Sequence, residues 1–97
     1  MNLFDYTVPV TGESFTPLLT HKNITINRIV SADTLKVKTY IQEEDEWVIL
    51  IEGEAILQIE EKERKLSKGD SLLIPAKTPH KVLHTQQGTL WLTVHIS

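Results

Sequence analysis

Ninety-seven residues can bury one modest hydrophobic core and no more, so residues 1–97 are read as a single domain. Ten Lys and Arg against thirteen Asp and Glu leave a net charge of -3, which disfavours a nucleic-acid partner, and the lack of cysteine excludes disulfides, thiolate nucleophiles and zinc-thiolate sites. No apolar run approaches membrane-spanning length, and the first residues lack the basic-then-apolar order of an export signal; a soluble, cytoplasmic protein with no membrane partner is expected.

Residues 1–23 hold Pro9, Pro17 and Gly12 without a clear period and read as an irregular arm, with room for a turn of helix or an edge strand; residues 24–97 read as the barrel core. His21 in the arm reads as a solvated loop histidine. Ile24, Ile26 and Arg28 share one strand face, and a turn follows at Ser31-Ala32-Asp33. Leu35, Val37, Thr39 and Ile41 alternate with Lys36, Lys38, Tyr40 and Gln42, which predicts a half-buried strand with the apolar set inward. Glu43-Glu44-Asp45 reads as a solvated acidic turn.

The next stretch, Glu46-Trp47-Val48-Ile49-Leu50-Ile51-Glu52-Gly53, is apolar on both faces, with Glu46, Val48 and Leu50 on one side and Trp47, Ile49 and Ile51 on the other. A carboxylate opening a buried strand is costly to desolvate, so Glu46 requires a cation, a donor or a proton beside it. Gly53-Glu54 reverses the chain into residues 55–59, where Ala55, Leu57 and Ile59 face in. Glu60 to Arg64 reads as a charged hairpin tip, with the strand returning at Lys65-Leu66. Ser67-Lys68-Gly69-Asp70 turns into residues 71–74, and Pro75 and Pro79 bar a regular ladder between them. His80, Val82 and His84 share a face, with His84 expected at the rim. Gln86-Gln87-Gly88 turns the chain into a last strand, Thr89 to Ile96. Some eight short strands with no helical period predict an all-β, antiparallel sandwich or barrel.

Two motifs give the chain a family resemblance. Glu46 and Gly53 keep the end of the first cupin block, a glutamate, six residues and a glycine; Gly69, Pro75 and His80 keep their places in the second, which runs glycine, five residues, proline, four residues, histidine. The chain thus resembles the small single-domain cupins over residues 40–84, about half its length, and the resemblance implies a double-stranded β-helix, a jelly-roll-like barrel. It also implies a divalent transition metal, Fe, Mn, Ni or Zn, held by facing strands. The two histidines of the first block fall on Tyr40 and Gln42 here, and Lys77 replaces the second block's inner glycine. Small cupins of this kind often end in a Trp-Leu-x-Val-His strand, here Trp91 to His95, so the implied ligand set is Glu46, His80, Gln42 and His95. For Gln42 to face inward, a bulge between Lys38 and Gln42 must reverse the alternation.

Two functions are compatible with these residues. One is a small metal-dependent enzyme using a Lewis-acid or dioxygen-binding ion, with Tyr40 as a proton donor. The other is a binding module for a small molecule, with a Glu46–His80 hydrogen bond in its core and no metal. The sequence leaves open which of the two holds, and names no substrate. Trp47 and Trp91 read as packing or interface residues, and the doubly apolar strand 46–52 predicts a homodimer.

Overall fold

The computed structural model describes residues 1–97. Its eight strands are β1 (Glu13–His21), β2 (Ile24–Ser31), β3 (Asp45–Glu52), β4 (Glu54–Ile59), β5 (Lys62–Ser67), β6 (Ser71–Ile74), β7 (His80–Thr85) and β8 (Thr89–Ile96). They form a five-stranded sheet, β1-β2-β8-β3-β6, facing a three-stranded sheet, β5-β4-β7. Every ladder is antiparallel, and the two sheets make a jelly-roll barrel. No helix is long and apolar enough to cross a membrane.

The alternation in β3 decides where the core sits. Val48 and Leu50 point between the sheets and meet Ala55 and Leu57 of β4, Leu66 of β5, Ile74 of β6 and Trp91 of β8. Trp91 is thus a packing residue, and its indole Nε1–H donates to Ser31 Oγ at 3.1 Å. Leu50 pairs with Trp91, whereas Glu46, four residues earlier, pairs with His95 and with Ile74. The register therefore sets an apolar plug at the β3–β4 turn end and leaves the polar residues of β3 and β8 at the other.

One open alternative is resolved and three local expectations need correction. The arm contains β1, nine residues paired along β2 with an irregularity between Pro17 and Leu19. This is the edge strand for which the arm left room, and Pro17 is tolerated in it because β1 is a sheet edge. His21, at the end of β1, is exposed as expected. Ahead of β1, the backbone oxygens of Asn2 and Leu3 accept from Arg28 Nη1, and Tyr6 lies under its guanidinium, so the first residues cover the outer face of β2.

Residues 35–42, predicted as a strand, form none. Val37 and Ile41 are 52% and 63% exposed, and only Tyr40 bridges, exchanging both backbone hydrogen bonds with His80 at 2.7 and 3.0 Å. Toward Gln42 the pairing loses register: the Gln42 carbonyl accepts from Lys77 N–H at 2.7 Å, where a continued ladder would use Thr78. Because the segment is not a half-buried strand, no bulge is required: Tyr40 and Gln42 turn inward while the apolar alternates face solvent.

The charged run is mostly strand. Glu60, at φ +55°, makes the turn, and Lys62 to Lys65 are exposed residues of β5. β5 ends its sheet, where charged side chains discourage pairing with another chain. Finally, β7 carries a bulge: Leu57 pairs with Val82 and Ile56 with His84, leaving Leu83 unpaired. The extra residue turns His84 out to solvent and Thr85 inward.

Candidate functional site

At the open end of the barrel lies a cavity of about 140 Å³ lined by fifteen residues. Its apolar lining includes Ile29, Val48, Leu57, Ile74 and Val82, and its polar lining Tyr40, Gln42, Glu46, His80, Thr93 and His95. All four residues implied as metal ligands, together with Tyr40, thus line one cavity.

Glu46 is buried, as is His80, and Gln42, His80 and His95 all approach its carboxylate. Gln42 Nε2–H donates to Glu46 Oε1 at 2.8 Å, which supplies the donor that a buried carboxylate requires. His80 Nε2 lies 3.9 Å from Glu46 Oε1, and His95 Nε2 lies 3.6 Å from Oε2. Both gaps exceed hydrogen-bond length, so the expected Glu46–His80 hydrogen bond is not made. Gln42 reaches Glu46 through its nitrogen, a different contact from the ligand role the resemblance implies.

The other ring nitrogens are fixed. His80 Nδ1 is 2.9 Å from the Thr78 carbonyl oxygen, and His95 Nδ1 is 3.1 Å from Glu44 Oε1. A carbonyl or an ionised carboxylate can only accept, so each Nδ1 carries a hydrogen, and in a neutral ring Nε2 is left with a lone pair. Two such lone pairs then face the two oxygens of one carboxylate. As the side chains stand, no three His, Asp or Glu groups are close enough together to hold one metal ion.

Tyr40 stacks on His80 with ring centroids 6.0 Å apart and an interplanar angle of 26°, and Lys38 Nζ sits 5.0 Å from the Tyr40 ring centroid. Thr93 Oγ1 is buried in the cavity wall with no partner. The acidic turn is more than a solvated loop. Asp45 Oδ1 accepts from Ala76 N–H at 2.8 Å, tying the turn to the proline loop, while exposed Glu43 lies 3.9 Å from Lys77. Glu44, absent from the expected site, holds His95. A signal for it existed: the inward set Glu46, Val48 and Leu50 extends backward by twos to Glu44, Gln42 and Tyr40.

The chain belongs to the cupin family: the family model of the cupin domain matches residues 32–95, which contain every polar side chain just described. A Ralstonia eutropha protein, described provisionally as a mannose-6-phosphate isomerase, is 34% identical; the match covers 100% of this chain and 96% of that one with a TM-score of 0.87. The cupin domain of Schizosaccharomyces pombe Cnp3 gives a TM-score of 0.86 at 7% identity over 99% of this chain and 67% of that one, a likeness of fold alone. An uncharacterised protein of Methanocaldococcus jannaschii is 36% identical over 53 residues, 55% of this chain and 41% of its own length. This chain therefore matches less than half of that relative.

Proposed function

We propose that the barrel holds one divalent transition-metal ion through Glu46, His80 and His95 and takes a compact small molecule into the apolar remainder of the cavity. The observation that carries this reading is the orientation of the two imidazoles. Each has its Nδ1–H tied to an acceptor and its Nε2 turned toward the same buried carboxylate. Lone pairs facing a carboxylate repel unless a cation lies among them, and two imidazoles with one carboxylate are a donor set for Fe(II) that also suits Mn, Ni and Zn. Small side-chain rotations must close the gaps of 3.6 and 3.9 Å, since ligand nitrogens sit about 2.1 Å from such ions.

The ion supplies Lewis acidity or a place for dioxygen. The chain supplies the rest. Gln42 fixes the Glu46 carboxylate, Thr78 and Glu44 fix the rings, Tyr40 offers a hydroxyl proton at the cavity wall, and the apolar lining excludes water from the ligand. A cavity of about 140 Å³ encloses a molecule near the size of benzene. No Lys or Arg is among its fifteen lining residues, so a phosphate group finds no cationic fork there. On these grounds a sugar phosphate is not the ligand we assign, notwithstanding the description given to the Ralstonia protein.

Metal analysis of purified protein tests the reading. After equilibration with Fe(II), Mn(II), Ni(II) or Zn(II) and removal of free ion, near-stoichiometric metal is expected in the wild type and little in Glu46→Gln or His80→Ala. A wild type that retains none of the four overturns it and leaves the binding-module reading.

We also propose a homodimer. Trp47 and Leu73, paired across β3 and β6, are 42% and 54% exposed on the outer face of the five-stranded sheet. Val94 and Leu92, paired with Trp47 and Ile49, extend this apolar surface onto β8. These five side chains carry no charge, so a second copy can cover the patch without opposing like charges. Sedimentation equilibrium at micromolar concentration is expected to give a dimer that Trp47→Glu dissociates; a wild-type monomer contradicts it.

A further inference from the structure

We infer that Glu44 is a positioning residue for the barrel site: it fixes the tautomer and the orientation of His95 and so presents Nε2 toward Glu46, where an ion would be held. The consequence for metal rests on the function proposed above; the consequence for the ring does not.

His95 lies one residue from the end of β8, paired with Thr25 of β2 and Glu46 of β3, and its side chain is 20% exposed. Its ring contacts two carboxylates. Glu44 Oε1 lies 3.1 Å from Nδ1, within hydrogen-bond distance, whereas Glu46 Oε2 lies 3.6 Å from Nε2, beyond it. The short contact determines where the proton sits, because a neutral imidazole has one N–H and places it on the nitrogen with the better acceptor. Glu44 thereby removes the hydrogen from Nε2, the atom that must be bare to bind an ion. Without it, the ring would gain by donating from Nε2 to Glu46, which would block both candidate ligands at once.

His80 is served by a different device with the same effect. Thr78 O, a backbone acceptor two residues away, receives its Nδ1 hydrogen. The backbone version cannot be altered by substitution, but the side-chain version can. Such outer partners set ring orientation and ligand basicity, and their loss typically weakens metal binding about 10–100-fold. Glu44 reaches His95 because β3 pairs with β8 in the register that sets Asp45 opposite Ile96 and Glu46 opposite His95, and because Glu44 continues the inward alternation of β3.

Two readouts on full-length protein test the role. The first is affinity for Mn(II) and Zn(II), by competition with a chromophoric chelator, in the wild type, Glu44→Ala and Glu44→Gln. Glu44→Ala is expected to weaken binding about 10–100-fold. Glu44→Gln, whose side-chain oxygen still accepts the Nδ1 hydrogen, is expected to recover most of that loss. The second is the His95 tautomer in metal-free protein, from imidazole nitrogen chemical shifts in mildly alkaline buffer. The wild type and Glu44→Gln are expected to be Nδ1–H, and Glu44→Ala to shift toward Nε2–H. Glu44 is partly exposed, so both variants are expected to fold, and their melting curves check this.

Unchanged affinity and an unchanged tautomer in Glu44→Ala overturn the inference, as does a Glu44→Gln variant as impaired as the alanine. If no protein binds metal but the tautomer follows Glu44 as described, the positioning role stands and the metal reading fails.

Discussion

Alanine at position 53 is expected to destabilise the protein by about 2–5 kcal/mol, read as a loss of roughly 10 °C or more in melting temperature followed by circular dichroism. Two effects add. Gly53 has φ +96°, a conformation that costs a residue with a Cβ about 1–2 kcal/mol. Its Cβ would also stand 2.6 Å from Thr89 Oγ1 and 2.9 Å from Thr89 Cα. Thr89 cannot yield readily. It is fully buried at the start of β8, and its hydroxyl lies 2.7 Å from the Gln86 carbonyl and 3.2 Å from that of Glu54. Gly69 separates the two effects, since its φ is +90° and a Cβ there meets nothing within 4 Å. Gly69→Ala is expected to show the backbone cost alone; a Gly53→Ala no worse than Gly69→Ala would show that the approach of Thr89 is not limiting.

Glu46→Gln is expected to abolish stabilisation by metal while leaving the metal-free fold close to wild type. Binding at about 100 times Kd stabilises a native state by about 2.7 kcal/mol, which for a domain of this size raises the melting temperature by roughly 10–20 °C. Glutamine keeps the volume of Glu46 and removes a buried charge, so the apo protein loses little in packing. It also loses the anionic oxygens toward which both imidazoles point, and an amide oxygen is a weaker ligand. Melting curves of both proteins with and without Mn(II) or Zn(II) give the comparison. Equal metal-induced shifts in the two would contradict the role assigned to Glu46.

The strands that bury one clean face were legible in the residues alone. Glu46, Val48 and Leu50 inward with Trp47 outward follow from a period of two, as does the inward face of β4; in β8 the period alone did not choose between its two faces, and Trp91, Thr93 and His95 are the set that lines the cavity. Misreadings arose where something other than periodicity decided the outcome. The alternation of Leu35 to Gln42 is a strand pattern without a strand: it pairs with its neighbour only at Tyr40 and His80, and the Gln42 carbonyl then takes Lys77 N–H out of register. The bulge at Leu83 is set by pairing between β7 and β4, which leaves no mark in the composition of His80 to Thr85, and it sends His84 outward.

The site divides in the same way. Glu46 and His80 sit in the recognisable cupin blocks, and Tyr40, Gln42 and His95 followed from that resemblance; all five reach the cavity. Glu44 was masked by its neighbours. Three successive acids look like a solvated turn, and only the inward register of β3 separates Glu44 from Glu43 and Asp45 on either side. The hydrogen bond that reverses the role of Gln42, from ligand to holder of Glu46, depends on a contact within four residues that spacing alone does not dictate.

The most direct test of the metal reading is anomalous scattering from crystals grown with Mn(II) or Zn(II). A single peak bounded by Glu46, His80 and His95, with Glu44 on the far nitrogen of His95, is the predicted result. Crystals with no peak in the barrel, in which the two imidazoles remain apart from the Glu46 carboxylate, would contradict it.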